Sequence, residues 1–309
     1  MINVLFASTK EKWEDYERPL AAGLKAAGLN AHLATDIPPA EVDYIVYAPN
    51  SPLQDFTPYT RLKAVLNLWA GVEAVVGNET LKVPLARMTD EGMTEGMRDY
   101  VVAHVMRHHV GLDAHVVNPG QVWDDTPPPL ARDRTVGMLG VGALGAACAE
   151  ALVGLGFRVM GWSRSPKALP GVDCHAGPDG LREVLTRSSI IVLLMPSTPA
   201  TQNTLNTQTL AWLPKGAAII NPGRGPLIDD DALLSALDAG HIGHATLDVF
   251  RAEPLPADHP YWTHPRVTVT PHIASTTRPA LAAERVVENI RRSEAGELLI
   301  DVVDRSAGY

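Results

Sequence analysis

Thr135-Val-Gly-Met-Leu-Gly-Val-Gly-Ala-Leu-Gly145 is the stretch that decides the fold. Val136 to Leu139 is a short apolar run suited to a buried strand. Gly140, Gly142 and Gly145 then give G-x-G-x-x-G, and Ala146 to Leu155 is rich in Ala and Leu with helical character. Strand, glycine turn and helix in that order fit a dinucleotide-binding unit, where the glycines permit a tight turn and close backbone approach to a pyrophosphate. The N–H groups and dipole at the helix N-terminus favour that negative charge. A glycine-rich turn also serves other α/β proteins, so the flanking chain has to be read with it.

Downstream, short apolar runs predict strands at Arg158 to Trp162, Ile190 to Leu194, Ala217 to Asn221, His244 to Asp248 and Val267 to Thr270. Helical spacing between them covers Gly180 to Thr186, Thr207 to Leu213 and Asp229 to Ala239. The last has Asp229, Asp230 and Asp231 at its positive end. Upstream, Ile2 to Ala7, Ala31 to Ala34, Tyr44 to Ala48 and Ala64 to Leu68 read as strands, and Trp13 to Ala27 as a helix stopped by Gly28. Such alternation implies two doubly wound parallel-sheet domains, each sheet covered on both faces. A helix from Thr94 to Val110 joins them, and a final amphipathic helix, Pro279 to Glu294, is expected to return to the first domain. The expected division is 1–93 with 275–309, and 94–274.

Two stretches fit this alternation less simply. His104, His108 and His109 lie on the joining helix, but no H-E-x-x-H accompanies them, so they read as helix-surface residues rather than metal ligands. Leu112 to Asp133 has no clear period and contains Asn118-Pro-Gly120 and Pro127-Pro-Pro129, yet carries Val116, Val117 and Trp123. Long structureless connections are usually functional, and apolar side chains are costly to leave in water. An arm packed on a second copy of the chain, a homodimer, accounts for both.

The chain has 309 residues, 46% hydrophobic and 20% charged, enough for two cores of ordinary composition. A net charge of −9 argues against a nucleic-acid surface or a basic membrane patch. No apolar run is long enough for a signal segment or a membrane span, and Cys148 and Cys174 form no C-x-x-C, so a cytoplasmic setting is expected.

Three strand ends in the second half finish in pointed groups. Ile219-Ile-Asn-Pro-Gly-Arg224-Gly225 sets an arginine in a glycine-flanked turn, Leu247-Asp248-Val-Phe-Arg-Ala-Glu253-Pro places two carboxylates beyond a strand, and Thr270-Pro-His272 places a histidine directly after another. Parallel strands bring these to the sheet edge that carries the glycine loop. Singly, each has an ordinary explanation as a solvated or capping residue. Together they suit hydride transfer to a 2-oxo acid. A guanidinium grips a carboxylate as a rigid fork and polarises the adjacent carbonyl. An imidazolium donates a proton as hydride reaches carbon, and a neighbouring carboxylate favours that charged form. No G-x-S-x-G supports a serine hydrolase.

With these residues the chain resembles the D-isomer-specific 2-hydroxyacid dehydrogenases end to end. The hallmarks are the Gly140 loop, Asn221-Pro-Gly-Arg-Gly225, Leu247-Asp-Val-Phe250 with Glu253-Pro254, and Pro271-His-Ile-Ala274. The resemblance extends to the glyoxylate/hydroxypyruvate reductase A subgroup through Ala86-Arg-Met-Thr-Asp-Glu-Gly-Met93, Gly161-Trp-Ser-Arg-Ser165 and the tail Val303-Asp-Arg305 with Gly308-Tyr309. It implies a Rossmann nucleotide-binding domain and a smaller flavodoxin-like substrate domain. It also implies Arg224, Glu253 and His272 as the catalytic set, with Glu253 supporting His272 as acid/base. Cofactor contacts are implied at Gly140, Gly142, Ala143, Leu144, Gly145, Ser163, Arg164, Ser165, Lys167, Met195, Pro196, Pro222 and Asp248, the last holding the nicotinamide carboxamide. Trp69, Ala70 and Gly71 correspond to the substrate loop. Gly223 departs from the pattern, where alanine or serine usually precedes the arginine, and is expected to add backbone freedom.

Cofactor and substrate follow from particular residues. NAD-specific units carry an acidic residue about 20 positions past the glycines, but here the chain reads Trp162-Ser163-Arg164-Ser165 with Lys167 close behind. An acid would repel a 2′-phosphate that Arg164 and the hydroxyls would hold, so NADP(H) is expected over NAD(H). The Trp69 indole fits a pocket for small 2-oxo acids, glyoxylate and hydroxypyruvate. The alternatives are a reductase of larger acids such as phenylpyruvate and, from a different class, a dinucleotide-sensing corepressor-like binding protein.

Overall fold

Apolar runs that alternate with helices can hide both faces of their strands only in parallel sheets. In the computed structural model, which describes residues 1–308, they form two of them. Tyr309 of the tail motif lies outside the described residues. The chain divides into two compact units, Met1–Met93 with Thr276–Tyr309, and Thr94–Ser275. Ser275, expected with the first, groups with the second.

The first unit holds strands β1 (Ile2–Ala7), β2 (Ala31–Ala34), β3 (Tyr44–Tyr47), β4 (Ala64–Asn67) and β5 (Leu85–Ala86). Their order is β2-β1-β3-β4-β5, all parallel, the flavodoxin-like arrangement. Every residue of β3 and β4 is buried, as a sheet covered on both faces requires. One cover is helix Lys10–Ala26, capped by the Thr9 hydroxyl, which accepts from the Lys12 N–H. Its Tyr16, Leu20 and Leu24 recur every four residues and are buried on one stripe. Helix Pro279–Glu294 packs beside it, burying Ala282, Ala283, Val286, Val287 and Ile290. The two approach closely because Gly23 has no side chain: a Cβ there would sit 3.0 Å from Val287 Cγ2. Full burial of a side chain such as Ile290 contributes roughly 1.5–3 kcal/mol.

The second unit holds β6 (Thr135–Leu139), β7 (Arg158–Ser163), β8 (Val172–Ala176), β9 (Ile190–Leu193), β10 (Ala217–Asn221), β11 (Ile242–Leu247) and β12 (Val267–Val269). The order β12-β11-β10-β9-β6-β7-β8 reverses direction between β6 and β9. That is the Rossmann order with one extra strand, and its switch point lies at the glycine loop.

Two strands escape the sequence reading. β5 is two residues long, and β8, Val-Asp-Cys-His-Ala, is an edge strand with no fully buried residue. Neither offers an apolar run. The joining helix starts earlier than expected, at Glu91, and the helix expected over Thr207 to Leu213 ends at Leu210. The helix-surface reading of the histidines is corrected. His109 is buried, His108 Nε2 lies 3.0 Å from Thr246 Oγ1, and the His108 and His244 rings are 5.1 Å apart. Burial, with His244 and Arg107 nearby, pushes His108 down to about 3. The helix needs polar residues on its inner face because the strand beneath it presents Thr246 and His244. Among the described residues no helix is long and apolar enough to cross a membrane, and no group of His, Cys, Asp or Glu is arranged to hold a metal ion.

Candidate active site

The glycine loop begins where β6 ends. Gly140 takes φ +105 and its N–H donates to Trp162 O, carrying the backbone out of the sheet between β6 and β9. A Cβ on Gly140 would lie 2.6 Å from the Leu194 carbonyl, and one on Gly145 would lie 1.9 Å from Gly140 O. These two glycines let the loop fold against its own backbone. Gly142 differs: a Cβ there would meet nothing within 4 Å. It caps helix Ala143–Gly154 without any side-chain hydrogen bond, so the helix opens on the bare amides of Ala143, Leu144 and Gly145. An open cradle at a positive helix end fits a pyrophosphate.

β7 delivers Ser163, Arg164, Ser165 and Lys167 to the same edge. Ser163 Oγ donates to Ser165 O at 2.7 Å, which closes the turn. Lys167 Nζ donates to Val141 O at 3.1 Å, bringing its charge against the glycine loop. Arg164 is exposed on this turn. The residues present therefore suit a nucleotide carrying a further phosphate, since cations and hydroxyls stand where an acid would repel it. After β9, Met195 is buried in the core of the unit, and Pro196 O accepts from Thr201 Oγ1 at 2.7 Å. Pro222 is buried beyond β10.

The end of β10 is organised by Asn221, whose Nδ2 donates to Arg224 O at 2.9 Å while its Oδ1 accepts from Gly223 N. Gly223 does not supply the freedom expected of it. It is buried, and a Cβ would lie 2.7 Å from Leu193 O, so the position is one of close approach. Arg224 NH1 donates to Gly223 O at 2.7 Å. Gly225 then presses on the next loop, where its Cβ would fall 2.0 Å from the Phe250 carbonyl carbon. This contact ties the arginine turn to the segment that carries Glu253.

Glu253 Oε1 accepts from Phe250 N at 2.9 Å, and Glu253 Oε2 lies 2.7 Å from His272 Nδ1. Both side chains remain partly exposed, so the imidazole is held at Nδ1 and leaves Nε2 for a substrate. Asp248 is fully buried. Its Oδ1 accepts from Thr270 Oγ1 at 2.6 Å and from Ile273 N at 2.9 Å, and its Oδ2 accepts from Ala274 N at 2.9 Å. The carboxylate thus pins the turn that bears His272 and keeps acceptor capacity on Oδ2. Sequence reasoning did not single out Thr270 as part of this support.

In the first unit, β4 ends in Asn67, 1% exposed, whose Nδ2 donates to Trp69 O at 2.7 Å and Gly71 O at 2.9 Å. These bonds, with one from Met88 N to Trp69 O at 3.0 Å, tie the loop's carbonyls to the end of β4 and to Met88. Trp69 is 42% exposed, not a core residue. Asn67 was also missed, though a polar residue closing the apolar run Ala-Val-Leu is a readable signal.

A profile of the D-isomer specific 2-hydroxyacid dehydrogenase NAD binding domain matches residues 100–274. Glyoxylate/hydroxypyruvate reductase A of Serratia proteamaculans is 38% identical over 100% of both chains. Among solved structures, a D-isomer specific 2-hydroxyacid dehydrogenase of Xanthobacter autotrophicus Py2, in complex with NADPH and MES, is 41% identical and covers 100% of this chain and 99% of its own, with a TM-score of 0.92. The NADPH-dependent glyoxylate/hydroxypyruvate reductase of Sinorhizobium meliloti, in complex with NADP and sulfate, is 32% identical over 100% of both chains, with a TM-score of 0.86. The glycine loop at the switch point, the histidine–glutamate pair and this likeness along the whole chain lead to one conclusion: the chain belongs to the D-isomer specific 2-hydroxyacid dehydrogenase family.

Proposed function

We propose that the chain reduces small 2-oxo acids, glyoxylate and hydroxypyruvate, to 2-hydroxy acids with NADPH. The observation that carries this reading is the His272–Glu253 pair, 2.7 Å apart, on the sheet edge that also bears the glycine loop. A reduced nicotinamide, when bound, supplies the hydride to the substrate's carbonyl carbon. His272 donates a proton from Nε2 to the carbonyl oxygen, because Nδ1 is engaged by Glu253. Glu253 holds Nδ1 at 2.7 Å and so fixes the ring plane. Arg224 binds the substrate carboxylate and polarises the carbonyl. Trp69, Ala70 and Gly71 are read as substrate contacts, the loop N–H groups donating to the carboxylate and the indole limiting side-chain size.

Gly140, Gly142, Ala143, Leu144 and Gly145 hold the pyrophosphate, and Ser163, Arg164, Ser165 and Lys167 the 2′-phosphate. Met195, Pro196 and Pro222 line the cofactor from the adjoining strand ends, and Asp248 receives the carboxamide. The relatives' names and their NADPH and NADP complexes support the cofactor and the substrate class. They favour neither a phenylpyruvate reductase nor a corepressor. Turnover of purified protein on a panel of 2-oxo acids with both reduced cofactors tests the reading. Glyoxylate and hydroxypyruvate are expected to lead with NADPH, and His272→Ala to abolish turnover while NADPH still binds. A wild type that prefers phenylpyruvate, or an active His272→Ala variant, refutes it.

The assembly proposed is a homodimer. Val116, Val117, Val122 and Trp123 are 65–93% exposed along the connection, more apolar surface than a chain in isolation leaves in water without reason. A monomeric mass by light scattering at micromolar concentration would contradict it. A cytoplasmic setting accords with Cys148 and Cys174, both free thiols.

A further inference from the structure

The turn that carries His272 is held in an uncommon conformation. His272 has φ +54, a left-handed setting that a non-glycine residue keeps only where its surroundings over-determine it. Its N–H donates to Asp248 O at 2.9 Å and Thr270 O at 3.1 Å. The Asp248 carboxylate collects Thr270, Ile273 and Ala274 around it. One more group reaches this assembly from outside the turn. The Tyr100 hydroxyl, on helix Glu91–His109, lies 2.7 Å from Thr270 Oγ1. Thr270 has a single hydroxyl proton and gives it to Asp248 Oδ1, so Tyr100 must be the donor. Burial pushes the Tyr100 phenol up from its ordinary range, which keeps that proton in place at any working pH.

The chain Tyr100–Thr270–Asp248 therefore runs in one direction and ends on the carboxylate that anchors the two amides following the imidazole residue. A phenylalanine would fill the same space beside His104, whose ring is 4.4 Å away. What the hydroxyl adds is the orientation of Thr270: its lone pair is occupied, so its proton is left facing Asp248. We propose that Tyr100 is a positioning residue for His272, acting through Thr270 and Asp248 to hold the left-handed turn on which the imidazole stands. This rests on reading His272 as the proton donor.

The test is a double-mutant cycle in the full-length protein with Tyr100→Phe, Thr270→Val and the pair, with Thr270→Ser as the conservative variant. Tyr100→Phe is expected to lower kcat about 2- to 10-fold, the worth of one net hydrogen bond, with KM for the oxo acid little changed. The double variant should be no worse than Thr270→Val alone, because Tyr100 acts through Thr270, and Thr270→Ser should restore turnover. Without any cofactor, hydrogen exchange at the Ile273 and Ala274 amides should quicken in Tyr100→Phe while the rest of the sheet is unaffected. Additive losses in kcat, or unchanged exchange at those amides, overturn the proposal. If Thr270→Val does not fold, the exchange measurement on Tyr100→Phe decides alone. His272→Ala separates the two levels of argument. If that variant stays active, the proton-donor reading fails; if it is inactive while Tyr100→Phe matches wild type, only the role of Tyr100 fails.

Discussion

Gly142→Ala separates what the glycine loop needs for folding from what it needs for binding. Gly142 has φ −72 and ψ −164, a conformation open to alanine, and a Cβ there meets nothing within 4 Å. Alanine removes unfolded-state freedom, a gain of about 0.4–1 kcal/mol, and loses a comparable amount as a poorer helix cap, up to about 1 kcal/mol. The stability of the cofactor-free protein should therefore hold, with its melting temperature moved by no more than about 2–4 °C. The new methyl nevertheless enters the space through which a pyrophosphate must approach the helix amides. Forcing a methyl into an occupied space costs about 1–3 kcal/mol, or about 5- to 150-fold in affinity. Gly145→Ala is the contrast, since its Cβ would stand 1.9 Å from Gly140 O and the backbone itself must move. That variant should lose both stability and binding. NADPH titration followed by cofactor fluorescence, beside thermal melts of the cofactor-free variants, distinguishes the two. Wild-type NADPH affinity in Gly142→Ala would show that no phosphate uses this space. A melting temperature as low as that of Gly145→Ala would show that the space is not open.

Three further outcomes follow from the geometry. Arg164→Ala should reduce kcat/KM with NADPH by about 10- to 150-fold, the range of a charged hydrogen bond, and leave NADH unchanged; equal losses with both cofactors would refute the phosphate role. Asn67→Ala frees the Gly71 carbonyl and leaves the Trp69 carbonyl only its bond from Met88 N, so KM for the oxo acid should rise while NADPH affinity stays, and a wild-type KM would refute the clamp. His108 is depressed to about 3 from 6.5 by burial, so its contribution to stability is present above about 6.5 and drains away as pH falls towards 3. The cofactor-free protein should melt progressively lower on acidification, and His108→Gln, which keeps a partner for Thr246, should flatten that slope; an identical slope would refute the assignment.

Where the sequence was legible, a physical period or a forced conformation made it so. Val136 to Leu139 followed by three spaced glycines has few structural uses, and helix Pro279–Glu294 declares itself by its proline start and apolar stripe. Arg224, Glu253 and His272 could be picked out because each lies in the loop that follows a strand's carboxyl end, and the structure brings Glu253 and His272 into contact. What stayed hidden depends on the third dimension. β8 is an edge strand whose polar residues carry no apolar run, and β5 is too short for any periodicity. The inward histidines look like surface residues because a helix wheel does not reveal that the facing strand is itself polar, with Thr246 and His244. Tyr100 lies 170 positions from its partner Thr270, and no local pattern encodes so distant a hydrogen bond. Gly223 read as a source of freedom, because only the packing of Leu193 behind it reveals a lack of room.

The interrupted path of the first unit sets the order in which this protein can be made. Its five strands lie between Ile2 and Ala86, but the helix that covers Tyr16, Leu20 and Leu24 is contributed by Pro279–Glu294. On the ribosome the first unit emerges early with part of its core bare, and has to wait while the whole of Thr94–Ser275 is synthesised. The second unit is continuous and has every strand it needs before the last helix leaves the exit tunnel. Completion of the first unit is therefore the final folding event, and it closes contacts of very long sequence separation, which form slowly. Until then the uncovered stripe is a sticky surface of the kind that holding chaperones engage and that overexpression at high temperature turns into aggregate.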